Sequence, residues 1–541
     1  MTGGRKPTIT PGAALLIAGL VLLATARSLQ NGFSFDDVHI ILENAQVHSL
    51  APPWEYAQQS YWPPRDLGAA YRPWTIWWFA IQWQLGAGAP WVFHLFNLLL
   101  TAAVTFSVYR LATRLLSPVG AVATAALFAV HPVHVEATAN VVGQGELWMT
   151  LFVLLACTAY LDVRRTGAVP ALRQRLVLGI LLVLASASKE QGLVLPGLIV
   201  LIEFMAVGRS ESFRTRLAAI GPTLSVLLAS AVGMLLGRYL VLGKLGQGAI
   251  AAQLDTLDLG QRVLVMSPMI AEWIRLLVWP RHLETQYSPP AYGAMPATLT
   301  PVVVGLGLLV TLIALAVLAR RSAPTVTLGL AWTGCALLPV ANIFFPTGIV
   351  IAERTLFLPS VGAILAGVAA GAWAAARAER LRPVFSGVLA TLIVLGSARS
   401  FSRQAIWRDT QTTLAQTVID GPRSYRGFQS YGMELAWRGN PRAAIPYFAR
   451  AAALYQGDRR VFEDWGQALR RIGRCDEAIA VLTKGLAHHS DATVMRSRLF
   501  ECLMATEQYR EALDIAERGV SLGQPEFEGA AQRARARLRS E

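Results

Sequence analysis

The chain has 541 residues, of which 54% are hydrophobic and 15% charged, with a net charge of +14. Soluble proteins carry about 25% charged residues, so this composition excludes an ordinary soluble domain and identifies a polytopic membrane protein with room for a soluble appendage. The positive balance does not indicate nucleic acid: many arginines stand in short clusters between apolar segments, as in cytoplasmic loops, and the sequence has no basic-aromatic patch of a nucleic-acid reader.

In chain order, the first apolar stretch covers about residues 11–28 and follows Arg5 and Lys6. With "GRK" before it and "ATA" near its end it has the form of a signal peptide, but the many later apolar stretches favour an uncleaved anchor. Ten further spans are expected at about 90–110, 119–136, 146–163, 175–188, 191–208, 217–241, 299–319, 324–341, 355–375 and 384–400. The basic clusters alternate with them: Arg110 and Arg114; Arg164, Arg165, Arg173 and Arg175; Arg209, Arg214 and Arg216; Arg320 and Arg321; Arg377, Arg380 and Arg382. Placing all of these inside, with the N-terminus, gives about 11 spans and brings the C-terminal part to the outer face. Two apolar stretches, 72–86 and 262–280, do not fit as spans. Their tryptophans (Trp74, Trp77, Trp78, Trp273, Trp279) suit re-entrant or interfacial helices on the outer side.

Near residue 400 the charge density changes: the last 141 residues hold 38 of the 82 charged ones, and no membrane-length apolar run. Here a 34-residue period appears. Leu435, Leu469 and Leu503 keep it, as do Ala444, Ala478 and Ala512, with Gly432/Gly466 and Gly439/Gly473 in step. That is the tetratricopeptide (TPR) signature, at the minimum of about three repeats that a stable stack needs. Two domains are therefore expected, 1–400 and 401–541. Cys157 and Cys335 lie in apolar runs and read as small hydrophobes, while Cys475 and Cys502 lie in the repeats, where spacing alone does not establish a disulfide.

The expected outer face collects the polar residues that could carry chemistry. "SFDDVHI" (34–40) places Asp36 and Asp37 just beyond the first span. They are either a helix-capping pair or a general base toward an incoming hydroxyl, with or without a bridging metal. "AVHPVHVEATANVVGQGEL" (129–147) carries His131, His134, Glu136 and Glu146 in a turn between spans. Its histidines have ligand-like i, i+3 spacing, but Pro132 disturbs the turn and favours capping and hydrogen bonding. "ASKEQG" (187–192) supplies Lys189 and Glu190, and "IFFPTGIVIAERTLFLPS" (343–360) supplies Glu353 and Arg354. Each is an internal ion pair or a phosphate contact at the bilayer edge. Together these residues suggest group transfer from a phosphate-bearing lipid.

The sequence resembles the transmembrane and tetratricopeptide-repeat O-mannosyltransferases, of the GT-C glycosyltransferase superfamily. The matching phrases include "NGFSFDDVHIILENAQVHSL" (31–50), "YRPWTIWWFAIQ" (71–82), "LFAVHPVHVEATANVVGQGELW" (127–148), "ASKEQGLVLPG" (187–197), "LPVANIFFPTGIVIAERTLFLPSVG" (338–362) and "RSFSRQAIWRDTQTTL" (399–414), in the family's order. The resemblance implies an all-α polytopic GT-C fold followed by a short TPR solenoid. It implies transfer of mannose or a similar hexose, with inversion, from a polyprenyl phosphate to a Ser or Thr hydroxyl of an extracytoplasmic protein docked by the repeats. Carried over, Asp36 or Asp37 is the base, with Asp36 favoured and Asp37 orienting. Lys189, Arg354 and Arg72 hold the donor phosphate. Glu146, Glu190, Glu353, His131 and His134 support those cations or the sugar. No cofactor or metal is expected. The chain departs from the family in having about three repeats and in placing Gln144 where an arginine is frequent. Its features suit a bacterial inner-membrane protein with periplasmic repeats. Transfer to lipid A or another glycan, and a non-catalytic TPR scaffold, are the alternatives; a transporter is disfavoured because no pair of broken helices recurs in two halves.

Overall fold

The computed structural model describes residues 10–63, 70–207, 211–246 and 250–540. Arg5, Lys6 and Arg209, three of the cations that orient the expected topology, lie outside the described residues. Among the described residues there is no β-strand; the isolated bridge between Pro290 and Ser424 is the nearest approach to one.

The chain divides into two compact units: Met1–Ala251 with Asp258–Leu283 and Met295–Thr413, and Ala252–Leu257 with Glu284–Ala294 and Leu414–Glu541. The division therefore falls beyond residue 400, inside which the helix Leu381–Gln404 is continuous. It also gives two short segments of the 252–294 region to the second unit. There Tyr425 donates its backbone N–H to the Pro289 carbonyl at 3.1 Å, and the Ser288 and Ser424 hydroxyls meet at 2.7 Å.

Among the described residues of the first unit, seven helices are long and apolar enough to cross a membrane: Pro11–Gln30, Pro90–Ala112, Val141–Arg164, Phe213–Leu242, Thr300–Ser322, Glu353–Arg377 and Leu381–Trp407. They make this a multi-pass membrane protein. The pair Pro118–Val130 and Pro132–Ala139, bent by 49°, is apolar enough to form either one broken span or a re-entrant loop. The bend has a local cause. Pro132 has no N–H to continue the ladder and restricts the residue before it, so His131 is extended (φ −69°, ψ 122°) and the chain restarts. The three other expected spans are shorter helices, Leu172–Ser188, Leu195–Met205 and Pro324–Leu337. Eleven residues of α-helix rise only about 16 Å, against a hydrocarbon core of about 30 Å. The expected count of 11 thus exceeds the number of full-length crossings. Residues 72–86 form one helix, Pro73–Gly86. Residues 262–280 are interrupted at Ser267–Pro268, between Leu259–Met266 and Met269–Val278.

The core of this unit runs between the long helices, with Val153, Leu154, Cys157, Leu161, Leu182, Leu198 and Phe357 fully buried. Where helices break, backbones approach closely. A Cβ on Gly143 would stand 2.3 Å from the Ala137 carbonyl oxygen, and one on Gly192 2.6 Å from the Ala185 carbonyl carbon. Glycine is required at both, because no side chain fits.

The second unit is a row of helix pairs: Tyr425–Trp437 with Pro441–Leu454, Arg459–Arg471 with Cys475–His488, and Thr493–Ala505 with Tyr509–Ser521, closed by Glu526–Leu538. Successive pairs begin 34 residues apart, which is the period of the sequence repeat. The repeated small residues lie where paired helices touch: Ala444, Ala478 and Ala512 are each 0% exposed.

Candidate active site

The first unit gathers eight charged side chains, four acids and four cations, and nearly all stand where a helix starts or stops. Arg72 precedes the helix Pro73–Gly86. Glu136 is in the first turn of Val135–Ala139, and Glu146 in the first turn of Gln144–Arg164. Lys189 caps the C-terminus of Leu172–Ser188, and Glu190 opens the turn that follows. Acids at helix starts and a cation at a helix end match the helix dipole. Arg354 lies in the turn Glu353–Leu356, and Arg238 in the last turns of Phe213–Leu242. Asp36 precedes the π-turn Val38–Leu42.

Two linked arrays result. In one, Arg354 donates to Glu136 twice, from Nη1 to Oε1 at 2.7 Å and from its backbone N to Oε2 at 2.8 Å. Its Nε is 3.8 Å from Glu146 Oε1, and its Nη2 is 4.0 Å from Asp36 Oδ2. Lys189 Nζ bonds the same Glu146 oxygen. In the other, Glu190 receives Arg72 Nε at 3.1 Å, Arg238 Nη1 at 3.0 Å and the Tyr71 N–H at 3.2 Å. The Arg72 guanidinium also covers the Tyr61 ring, 4.8 Å from its centroid, a cation–π contact. Burial acts to raise the Glu190 carboxyl, but Arg72 and Arg238 outweigh it and hold the group down at about 2. For Lys189, burial lowers the ammonium; Arg72 and Arg354 push the same way against the attraction of Glu146.

The adjacent aspartates differ. Asp37 is 0% exposed and accepts three backbone N–H groups, from Val142 at 2.8 Å, Ser34 at 3.1 Å and Val141 at 3.3 Å. Burial pushes its carboxyl up to about 7, against the pull of those donors and with the help of the Asp36 charge. It ties the loop after the first span to the turn before Gln144. Asp36 keeps 22% of its side chain exposed and faces Arg354. Phe35, before it, holds φ at 54°, an uncommon region for a non-glycine residue, with its N–H on Thr410 Oγ1 at 2.9 Å. A partly exposed carboxylate beside a guanidinium is an arrangement that can take a proton from a hydroxyl while the cation receives a departing anion.

Besides Asp37, three expected site residues are not in these arrays. His131 bonds the Leu277 carbonyl through Nε2 at 3.1 Å. His134 bridges the Phe128 carbonyl at 2.9 Å and the Ser360 hydroxyl at 2.8 Å. Both rings are occupied in tying helix ends together, as Pro132 requires. Glu353 faces Arg403 at 3.7 Å, because consecutive residues in a tight turn point apart. Glu136 was among the polar residues of the expected outer face but was given no role by the resemblance, and Arg238 was not expected at all. The signal for Arg238 was present: a lone cation in a long apolar run is a functional-site candidate by default. Gln144 is fully buried in a chain of amides, taking a bond from Gln82 at 2.7 Å and donating to Asn97 at 2.8 Å.

Residues 71–234 match the family model described as dolichyl-phosphate-mannose-protein mannosyltransferase. The chain is 26% identical over 486 residues to the human protein O-mannosyl-transferase TMTC4, covering 81% of this chain and 65% of that protein. It is 26% identical over 512 residues to human TMTC3, covering 86% and 53%. The chain thus spans about half to two-thirds of the length of the curated relatives it matches. Among solved structures, the Saccharomyces cerevisiae protein O-mannosyltransferase Pmt1–Pmt2 complex bound to the sugar donor aligns over 46% of this chain and 37% of that one, with 18% identity and a TM-score of 0.33. Relatives matched along 81% and 86% of its residues make the chain similar to protein O-mannosyl-transferases over most of its length.

Proposed function

We propose that the protein is a GT-C type glycosyltransferase that moves a hexose, mannose or a similar sugar, from a polyprenyl phosphate to a Ser or Thr hydroxyl of an extracytoplasmic protein. The observation that carries this reading is the partly exposed Asp36 carboxylate beside Arg354, with Lys189 in the same array and Arg72 in the adjoining one. Asp36 takes the proton of the attacking hydroxyl. Attack on the anomeric carbon breaks its bond to the phosphate oxygen, and a single displacement inverts the configuration. Arg354, Lys189 and Arg72 neutralise the charge that grows on the departing phosphate. Glu136, Glu146 and Glu190 hold those cations in place, and Asp37 orients the loop that carries Asp36. No metal is assigned a role.

The same reading sets the N-terminus in the cytoplasm and the repeats on the other side of a bacterial inner membrane, where they dock the acceptor. Reconstituted full-length protein, given a polyprenyl-phosphate hexose and a Ser/Thr-containing acceptor protein, should yield acceptor mass increments of one hexose. The reading fails if Asp36→Asn transfers sugar at the wild-type rate. It also fails if sugar reaches lipid A or a glycan while the protein acceptor stays unmodified.

A further inference from the structure

Two of the four cysteines of the chain lie in the second unit. Cys475 is the first residue of the helix Cys475–His488 and is partly exposed. Cys502, on the next helix Thr493–Ala505, is buried. Their sulfurs are 2.8 Å apart as thiols, against about 2.05 Å for a disulfide bond. The surrounding helices fix this approach. Cys502 packs in the core with Leu482, Leu499 and Leu503, and Arg470 bridges to Glu501, the residue before it, at 2.8 Å. Closing the bond thus needs a sub-ångström shift and no rearrangement of backbone.

We propose that Cys475 and Cys502 form a structural disulfide that staples the second helix pair to the third. It rests on the reading that the second unit lies in an extracytoplasmic, oxidising compartment, where disulfides form and persist. The oxidant is a disulfide-carrying thiol oxidoreductase of that compartment. The exposed Cys475 thiolate attacks one sulfur of the donor disulfide, giving a mixed disulfide and expelling one donor thiolate. Cys502 loses its proton and attacks the Cys475 sulfur, expelling the second donor thiolate. Two thiols give up two electrons and two protons, and the donor leaves as a dithiol. The staple closes a loop spanning 27 residue steps, removing chain entropy from the unfolded repeats. Three repeats are few for a solenoid whose stability comes from neighbour contacts, so one covalent tie between two of them has a large relative effect.

The test uses full-length protein in membranes, thiols trapped by acid and alkylation before lysis. Trypsin should release CDEAIAVLTK (475–484) joined to LFECLMATEQYR (499–510), two hydrogens lighter than the sum of the free peptides and separated by reductant. Reduction, or the Cys475→Ser, Cys502→Ser variant, should lower the melting midpoint of the repeats by about 5–10 °C, with sugar transfer retained. Recovery of both peptides as alkylated thiols from trapped cells overturns the proposal. Oxidised glutathione added to the purified protein then assigns the failure: ready closure faults the compartment, no closure faults the geometry. Transfer by the same preparation reports on the proposed function separately.

Discussion

Asp36 turns its carboxylate toward Arg354, at 4.0 Å, while its chain neighbour Asp37 turns away and accepts three backbone N–H groups. Adjacent residues on an irregular stretch point in different directions, so one of the pair can face the cations while the other builds the loop. The separation of 4.0 Å is an ion-pair distance, too long for a hydrogen bond.

The first prediction separates the two roles. Asp36→Asn removes the base and keeps the shape, so kcat should fall by about 10²–10⁴-fold with the melting midpoint and the KM for the lipid donor little changed. Asp37→Asn should lower the midpoint and kcat together, because an amide supplies one acceptor oxygen where the carboxylate uses two. Steady-state kinetics and thermal melts of both variants check this; equal kcat losses with equal stability would sink the division of labour.

Asp37 also predicts a pH dependence. Its folded value of about 7 lies above the ordinary 3.8, so between those values the folded chain retains a proton that the unfolded chain has lost. The stability contributed by that proton is present in full below the ordinary value and is lost as pH rises through the folded one. The melting midpoint should therefore fall by several degrees from pH 4 to pH 7, and Asp37→Asn should remove that component. Parallel slopes for the two proteins would contradict it.

Much of this was legible in the sequence. Among the described residues each expected span falls mainly on helix, with a break at His131 in 119–136, because a long apolar run has few other solutions in a membrane. The 34-residue register gave the small residues at helix contacts. What could not be read was direction and partnership. Glu353 and Arg354 are consecutive, yet the first faces Arg403 and the second Glu136, since a turn splits neighbours between two partners. His131 and His134 have a ligand-like spacing, but His134 serves the Phe128 carbonyl beside the break at Pro132 and His131 serves the Leu277 carbonyl at the end of another helix. The partner of Arg238 was hidden by distance: it meets Glu190 across 48 residues, and no local pattern announces such a pair.

A third prediction concerns Arg354 as a cation and as a partner. Arg354→Met strands Glu136, which is 2% exposed, and removing one member of a buried pair costs about 3–5 kcal/mol. Adding Glu136→Gln removes the stranded charge, so the double variant should recover most of the melting midpoint. Its transfer rate should stay at least about tenfold below wild type, because the cation that receives the leaving phosphate is still missing. Recovery of transfer together with stability would show that Arg354 is only a brace.

The fourth prediction concerns the array around Glu190. Arg72 and Arg238 together hold this carboxylate at about 2, so it stays charged throughout the working pH range and keeps both guanidiniums fixed. Glu190→Gln keeps the shape and releases that grip. If Arg72 contacts the donor phosphate, its freer guanidinium loses orientation, and the KM for the polyprenyl-phosphate sugar should rise by about tenfold while kcat at saturation changes little. Arg72→Gln should raise the same KM further, and the two changes combined should add to less than the sum of their free energies, because they act on one contact. Arg238→Gln, which leaves Arg72 on Glu190, should have the smallest effect of the three. Donor titrations of the four variants at fixed acceptor decide the matter: additive effects of Glu190→Gln and Arg72→Gln would mean that the carboxylate does not act through the arginine.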